Sequence, residues 1–224
     1  AGSAFPDPIP LTSAANGSAA ATSADNTFRD GDRALLNGMR FGFTAEMLFH
    51  ASEANGYLVS RWGTSNYSQW GIGVDDRDGP IHVRVATRDD DGSTDIRNFT
   101  GITLATDKDY YLAVTYGGSN GEIAVHLENL TDGGTQDETL TGFPTKLEWL
   151  VADGGAASPP LRIGGLSNGS GNTAGSEFTG LIDEVRVATG VLDLDTEGLL
   201  VPEPATLSLL AFMGFVVLLR RRMR

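Results

Sequence analysis

The sequence predicts an all-β chain, an antiparallel β-sandwich or jelly roll, followed by one C-terminal transmembrane helix, and three observations predict it. Apolar residues alternate with polar ones at a period of two in several runs, the pattern of strands with one buried and one wet face. Clusters of Gly, Asn and Asp, the residues that supply the positive φ of hairpin turns, separate those runs. Before residue 201 only the short stretch 193–200 has helical character. The 224 residues are 40% apolar and 20% charged and include 29 glycines, a turn-rich composition that can bury one sizeable core.

Residues 1–28, rich in Ala, Ser, Asn, Gly and Pro, read as a flexible lead or an irregular first strand. The sandwich is assigned to 29–200, and its pattern begins near Ala34. Phe43, Ala45, Met47 and Phe49 alternate with Thr44, Glu46 and His50; Ile81, Val83 and Val85 alternate with His82 and Arg84. Tyr110, Leu112, Val114 and Tyr116 give a third alternation, and Ile123, Val125 and Leu127 a fourth. Turn clusters fall at 75–80, 88–93, 117–121, 132–135 and 167–175.

The tail, 201–224, follows different rules. From 205 to 219 it is apolar on every side of a helix, and Arg220, Arg221, Arg222 and Arg224 come directly after. At about 1.5 Å per residue this run reaches roughly 22 Å against roughly 30 Å of hydrocarbon, a short span that snorkelling arginines and local thinning can accommodate. Hydropathy alone also fits a buried core helix. If the run spans a membrane, the arginine cluster sits on the cytoplasmic side and the body outside. Val201, Pro202, Glu203 and Pro204 stand before it, and two prolines keep that approach extended and open to a protease. Pro-Glu-Pro, a short apolar helix and terminal arginines, in that order, resemble the PEP-CTERM sorting signal of exported bacterial proteins. The resemblance implies an exosortase-type partner that recognises Glu203 and removes the tail. It also implies transient anchoring in the inner membrane, then residence at the surface or in the matrix of a Gram-negative bacterium that makes exopolysaccharide or biofilm.

Charge and composition exclude several functions for the body. Residues 1–200 carry 12 basic and 28 acidic residues, a net −16, so nucleic acid is repelled. No cysteine is present, which excludes disulfides, thiolate catalysis and cysteine-ligated zinc. No basic segment followed by an apolar run opens the sequence at Ala1, which a processed or trimmed start would explain.

A second resemblance covers about 40–200. The runs 110–116 and 122–127, the closing run 178–187 (Phe-Thr-Gly-Leu-Ile-Asp-Glu-Val-Arg-Val), and an early hairpin from 57–62 to 70–74 resemble concanavalin A-like, laminin G-type domains. That fold also carries glycoside hydrolases, whose paired carboxyls must share a cleft at about 5 Å or about 6.5–9.5 Å. Asp183 and Glu184 are adjacent and point to opposite faces of a strand unless a bulge re-aims one, so no catalytic residue is assigned. No Gly-x-Ser-x-Gly elbow occurs, and His50, His82 and His126 lie singly in strand patterns. The resemblance implies calcium as the candidate cofactor. Asp75, Asp76 and Asp78 form one group of oxygen donors, and Asp89, Asp90, Asp91 and Asp95 another; hairpin tips crowd aspartates for turn geometry as well. Trp62, Tyr67, Trp70 and Trp149 are candidates for stacking on sugar rings or for filling the core.

The expected function is thus a non-enzymatic, exported sandwich that binds a polysaccharide or another matrix component. The competing readings are a glycoside hydrolase or lyase on the same fold, and a structural coat protein.

Overall fold

The computed structural model describes residues 39–62, 68–77, 79–147, 161–166 and 177–192. All of them belong to the first of the two units into which the chain divides, Ala1–Leu192 and Asp193–Arg224. The lead 1–28, the stretch 193–200 and the whole tail, with Val201, Pro202, Glu203, Pro204 and the arginine cluster, lie outside the described residues. Among the described residues no helix is long and apolar enough to cross a membrane.

Ten strands form among them: β1 (Gly42–Ala51), β2 (Gly56–Arg61), β3 (Trp70–Asp75), β4 (Ile81–Arg88), β5 (Thr94–Leu104), β6 (Lys108–Gly117), β7 (Glu122–Asn129), β8 (Thr135–Thr141), β9 (Arg162–Ile163) and β10 (Gly180–Thr189). Two five-stranded sheets result. Sheet A runs β10-β1-β6-β7-β8 and sheet B runs β5-β4-β3-β2-β9, every neighbouring pair antiparallel. The four alternations legible in the sequence are β1, β4, β6 and β7, and their apolar members fill the space between the sheets. Phe43, Met47, Leu112, Val114, Val83 and Val85 are all buried there. Each such side chain contributes about 1.5–3 kcal/mol relative to exposure, which is how a body without disulfides holds together.

Two bulges decide which side chains reach the outer faces. In β2 the register against β3 shifts between Tyr57 and Val59, so Leu58 and Val59 both enter the core. Tyr57 pairs with Gly73 and Ser60 with Gly71, which puts both on the outer face of sheet B. In β10 the partner of Leu48 is Glu184 and that of Phe49 is Ile182, leaving Asp183 as the extra residue. Ile182 and Val185 then both pack on the core.

One side of the sandwich is closed by side chains. Gln136 of β8 accepts a hydrogen bond from the Thr103 amide of β5 at 2.9 Å and donates to the Thr103 carbonyl at 2.9 Å, as a peptide group would. Glu138 accepts from the Gly101 amide at 2.8 Å, and Arg97 donates to the carbonyls of Thr141 and Gly142 at 2.7 and 2.8 Å. Both edge strands are thereby blunted against pairing with another chain. Neither β5 nor β8 was expected from the sequence, because β8 alternates only among polar residues, Thr-Gln-Asp-Glu-Thr, before Leu140.

Candidate functional site

The register sets transverse rows of residues on each outer face. On sheet A one row crosses all five strands: Arg186, Glu46, Ala113, His126 and Asp137. The next row is Glu184, Leu48, Tyr111, Glu128 and Thr135. Tyr111 donates its hydroxyl to Glu46 Oε1 at 2.6 Å, and Arg186 Nη1 lies 3.6 Å from Glu46 Oε2. His126 sits edge-on to the Tyr111 ring and donates Nδ1–H to Asp137 at 2.6 Å. Burial, and then the Glu46 carboxylate beside it, push the Tyr111 phenol far above its ordinary range, so it stays a donor. This face also carries its own chain: Thr44 Oγ1 donates to the Gly190 carbonyl at 3.0 Å and accepts the Leu192 amide at 2.9 Å. The charged groups of the central row therefore meet partners within the fold.

Sheet B presents a different surface. Its rows are Tyr57, Gly73, Arg84 and Asn98; then Arg162, Ser60, Gly71, Ala86 and Ile96; then Asp75, His82 and Thr103. Gly71, Gly73 and Ala86 make a floor with almost no side chains of its own, and all three are buried. A Cβ on Gly73 would lie 2.4 Å from the Gly56 carbonyl oxygen, and one on Gly71 would lie 2.7 Å from the Tyr57 ring, which rests on that glycine. The Tyr57 phenol is pushed up chiefly by burial.

Beside the floor stands a cluster of two guanidinium groups on one carboxylate. Arg77 grips Asp75 with both arms, Nε to Oδ1 and Nη2 to Oδ2, each at 2.8 Å. Arg84 Nη1 reaches only the flank of that carboxylate, 3.2 Å from Oδ2. The Arg77 hydrogen bonds hold the Asp75 carboxyl below its ordinary value, against the opposing effect of burial. The Nε–H of Arg84 is buried and has no acceptor among the described residues, an arrangement that costs about 1–3 kcal/mol. Arg88 and Arg162 flank the rows and are held by contacts of their own.

The sequence-predicted candidates scatter. Trp70 is not a sugar platform: it is fully buried and stacked on Phe43 at 4.6 Å, because its alternation with Gly71 and Gly73 turns it inward. Trp62 is half-buried just past β2, while Tyr67 and Trp149 lie outside the described residues. The two aspartate groups are not gathered around one point, and among the described residues no three acidic or histidine side chains converge as metal ligands. Asp75 is taken by the arginines, Asp76 is exposed in a turn, and Asp78 lies outside the described residues. Asp89 accepts the amides of Asp91 and Ser93 at 3.2 and 2.8 Å, and Asp91 also accepts Ser93 at 2.8 Å, so both shape the β4–β5 turn. Asp90 pairs with Arg40 and with Lys146, the latter at 2.8 Å, and Asp95 accepts Arg97 Nε at 2.9 Å. The histidines also have structural partners: His50 on Asp109 at 2.8 Å, and His82 donating Nδ1–H to the Ile102 carbonyl at 2.9 Å, where β5 departs from regular pairing. Asp183 is the bulged residue, and Glu184 shares the outer face with Leu48.

Sequence reading did not single out Arg84, Asp75 as its partner, Glu46 or Tyr111. One signal was present: in Trp70-Gly71-Ile72-Gly73-Val74 the outward positions are both glycine, which announces a close approach on a central strand.

No protein-family model and no curated protein matches the chain. Solved structures do. The CBM40 of the Ruminococcus gnavus IT-sialidase, solved bound to α2,3-sialyllactose, is 16% identical with a TM-score of 0.50, over 71% of this chain and 81% of that one. The native heptameric SAP-like pentraxin from Limulus polyphemus is also 16% identical, with a TM-score of 0.49 over 70% and 67% of the two chains. The LG1-3 region of the laminin α2 chain is 12% identical, with a TM-score of 0.45 over 68% of this chain and 29% of that one. At such identities the likeness speaks to fold alone, and the fold is an all-β sandwich of two antiparallel sheets, of jelly-roll type.

Proposed function

We propose that this chain is an exported bacterial surface or extracellular-matrix protein whose sandwich binds a glycan or another matrix component without transforming it, and whose tail is its sorting signal. The observation that carries the binding half is the fold itself, a sandwich of two antiparallel five-stranded sheets. A neighbour of the same fold was solved with a saccharide bound, which supports the class of ligand. The test is a glycan array probed with the full chain in mild detergent, once with calcium and once with chelator. Binding to defined glycans in both conditions is expected. Silence in both sinks the reading, and binding only with calcium transfers the site to a metal.

The sorting half rests on the order of Pro202, Glu203, Pro204, the apolar run and the arginines. In a host with an exosortase-type enzyme, protein recovered outside the cell should lack the mass of the tail, and Glu203→Ala should hold it in the membrane fraction. Full-length protein released by wild type and variant alike would end that proposal.

Polysaccharide cleavage is the second reading, favoured by the carboxylate, phenol and imidazole that Glu46, Tyr111 and His126 bring to one face of sheet A. New reducing ends or unsaturated products from a polysaccharide panel, lost in Tyr111→Phe, would establish it in place of simple binding.

A further inference from the structure

We propose that β10 pairs edge to edge with β10 of a second copy of this chain, about a two-fold axis at Val185, so that two copies of sheet A run on as one; this is independent of what the sandwich binds. The sheet edges are not alike. β5 and β8 are zipped to each other by Gln136, Glu138 and Arg97, and β9 is only two residues long. β10 has ten residues, lies at the rim of sheet A and, among the described residues, pairs with β1 alone. Such an edge offers a row of backbone donors and acceptors to a further strand. Its surface is open: Leu181 is 70% exposed, and Glu184 and Thr189 are exposed as well. The inward apolar side chains of β1 and β6 are buried, whereas Ile182, Val185 and Val187 of β10 are only partly so. The core therefore stays partly wet along this rim, and a neighbouring strand would cover it.

The order of charges along β10 selects a second copy as the occupant. Two identical strands pair antiparallel about a two-fold axis, and residues equidistant from that axis face each other. With the axis at Val185, Glu184 stands opposite the partner's Arg186, and Arg186 opposite the partner's Glu184. Both residues lie on the outer face, in the rows of Leu48 and Glu46, while Val185 points to the core. Opposite charges directly across a strand pair attract, and like charges there repel. An axis one residue later sets Arg186 against the partner's Arg186, and one residue earlier sets Glu184 against the partner's Glu184. The bulged Asp183 falls opposite the partner's Val187 and bounds the regular ladder at each end, so the association is short and reversible. The outer faces of the two joined sheets lie on the same side.

Sedimentation velocity of the full chain in density-matched detergent micelles, at physiological salt, measures the assembly. A dimer that grows with protein concentration is expected. Glu184→Arg sets an arginine against the partner's Arg186 on both sides of the axis. It should weaken the dimer tenfold or more at an unchanged melting midpoint, because Glu184 is exposed. Association through the apolar run of the tail would not respond to that change. The sequence holds no cysteine, so a single introduced one reports the register. Val185→Cys should give a covalent dimer on mild oxidation, while Leu181→Cys, on the same strand but away from the axis, should stay monomeric although it is the more exposed. A chain that is monomeric at every concentration, a dimer indifferent to Glu184→Arg, or cross-linking as fast at 181 as at 185 overturns the proposal.

Discussion

Sheet A turns outward a row from five strands, Arg186, Glu46, Ala113, His126 and Asp137, whose charges meet partners inside the fold. Sheet B turns outward two glycines and an alanine, with the Nε–H of Arg84 left without an acceptor. The two faces have the same origin, alternation along strands whose other side builds one core. They differ in what the core leaves to them. A buried network in which Tyr111 donates to Glu46 and Arg186 faces the same carboxylate contributes to stability and closes the surface to other partners. A buried donor without a partner costs stability. Polar chemistry is thus concentrated on the outer face of sheet A, and close packing over small residues on that of sheet B.

The largest effect expected from breaking this contrast is at the glycine floor. Gly73→Ala places a methyl 2.4 Å from the Gly56 carbonyl, backbone against backbone, and should cost at least about 3 kcal/mol. Gly71→Ala meets instead the Tyr57 ring, a side chain that can turn, and should cost less and lift that ring into the face. Denaturant midpoints of the two variants check the order; equal losses would mean that the close approach of the β2 backbone is not what requires glycine at 73.

Next comes Asp75. Its carboxyl is held below its ordinary value by Arg77, so the folded state binds the proton more weakly than the unfolded chain does. The stabilisation is complete above about pH 4–5 and fades as the pH falls through the depressed value. Asp75→Asn should cost about 3 kcal/mol at neutral pH, since Arg84 is then left buried beside a neutral amide, and should flatten the acid limb of a plot of melting midpoint against pH. An acid limb that survives in the variant would assign it to other carboxylates.

How much of this contrast could be read from the sequence is clear residue by residue. The buried halves of β1, β4, β6 and β7 were legible because Phe43, Val83, Leu112 and Val125 sit in strict alternation, which burial demands. β8 was not, because a strand zipped to β5 by Gln136 and Glu138 needs little apolar character. Trp70 was open between core and surface until its register with Thr87 and its stacking on Phe43 settled the side. The aspartates drew attention as metal ligands, yet the arginines that claim Asp75, Asp90 and Asp95 come partly from other elements, and those pairings depend on tertiary structure. Bulges at 57–59 and opposite Asp183 shift register by amounts that no period-two count reveals, and they decide where Tyr57, Ser60 and Glu184 point.

On sheet A the effects should be smaller and should leave ligand binding alone. Tyr111→Phe removes one hydroxyl from a buried hydrogen bond to a carboxylate and should cost about 1.5–3 kcal/mol, with glycan binding unchanged. A binding loss there would move the ligand site to this face.

The smallest effect is expected at the open end of the same row. Asp137 accepts from His126 at 2.6 Å, but its side chain is 70% exposed, and water competes for both partners. Exposed pairs of this kind contribute about 0.2–1 kcal/mol, so Asp137→Asn should shift the denaturant midpoint by an amount at the low end of that range. The comparison with Tyr111→Phe is the informative part, because both variants perturb one transverse row, at its buried middle and at its wet end. If the two losses were alike, the row would act as one coupled network across β1, β6, β7 and β8, and the double variant would lose less than the sum of the singles. If Asp137→Asn is near neutral and the effects add, the buried Tyr111–Glu46 bond acts independently of the His126–Asp137 pair, and the outer end of the row is a solvated surface with no part in the fold's stability.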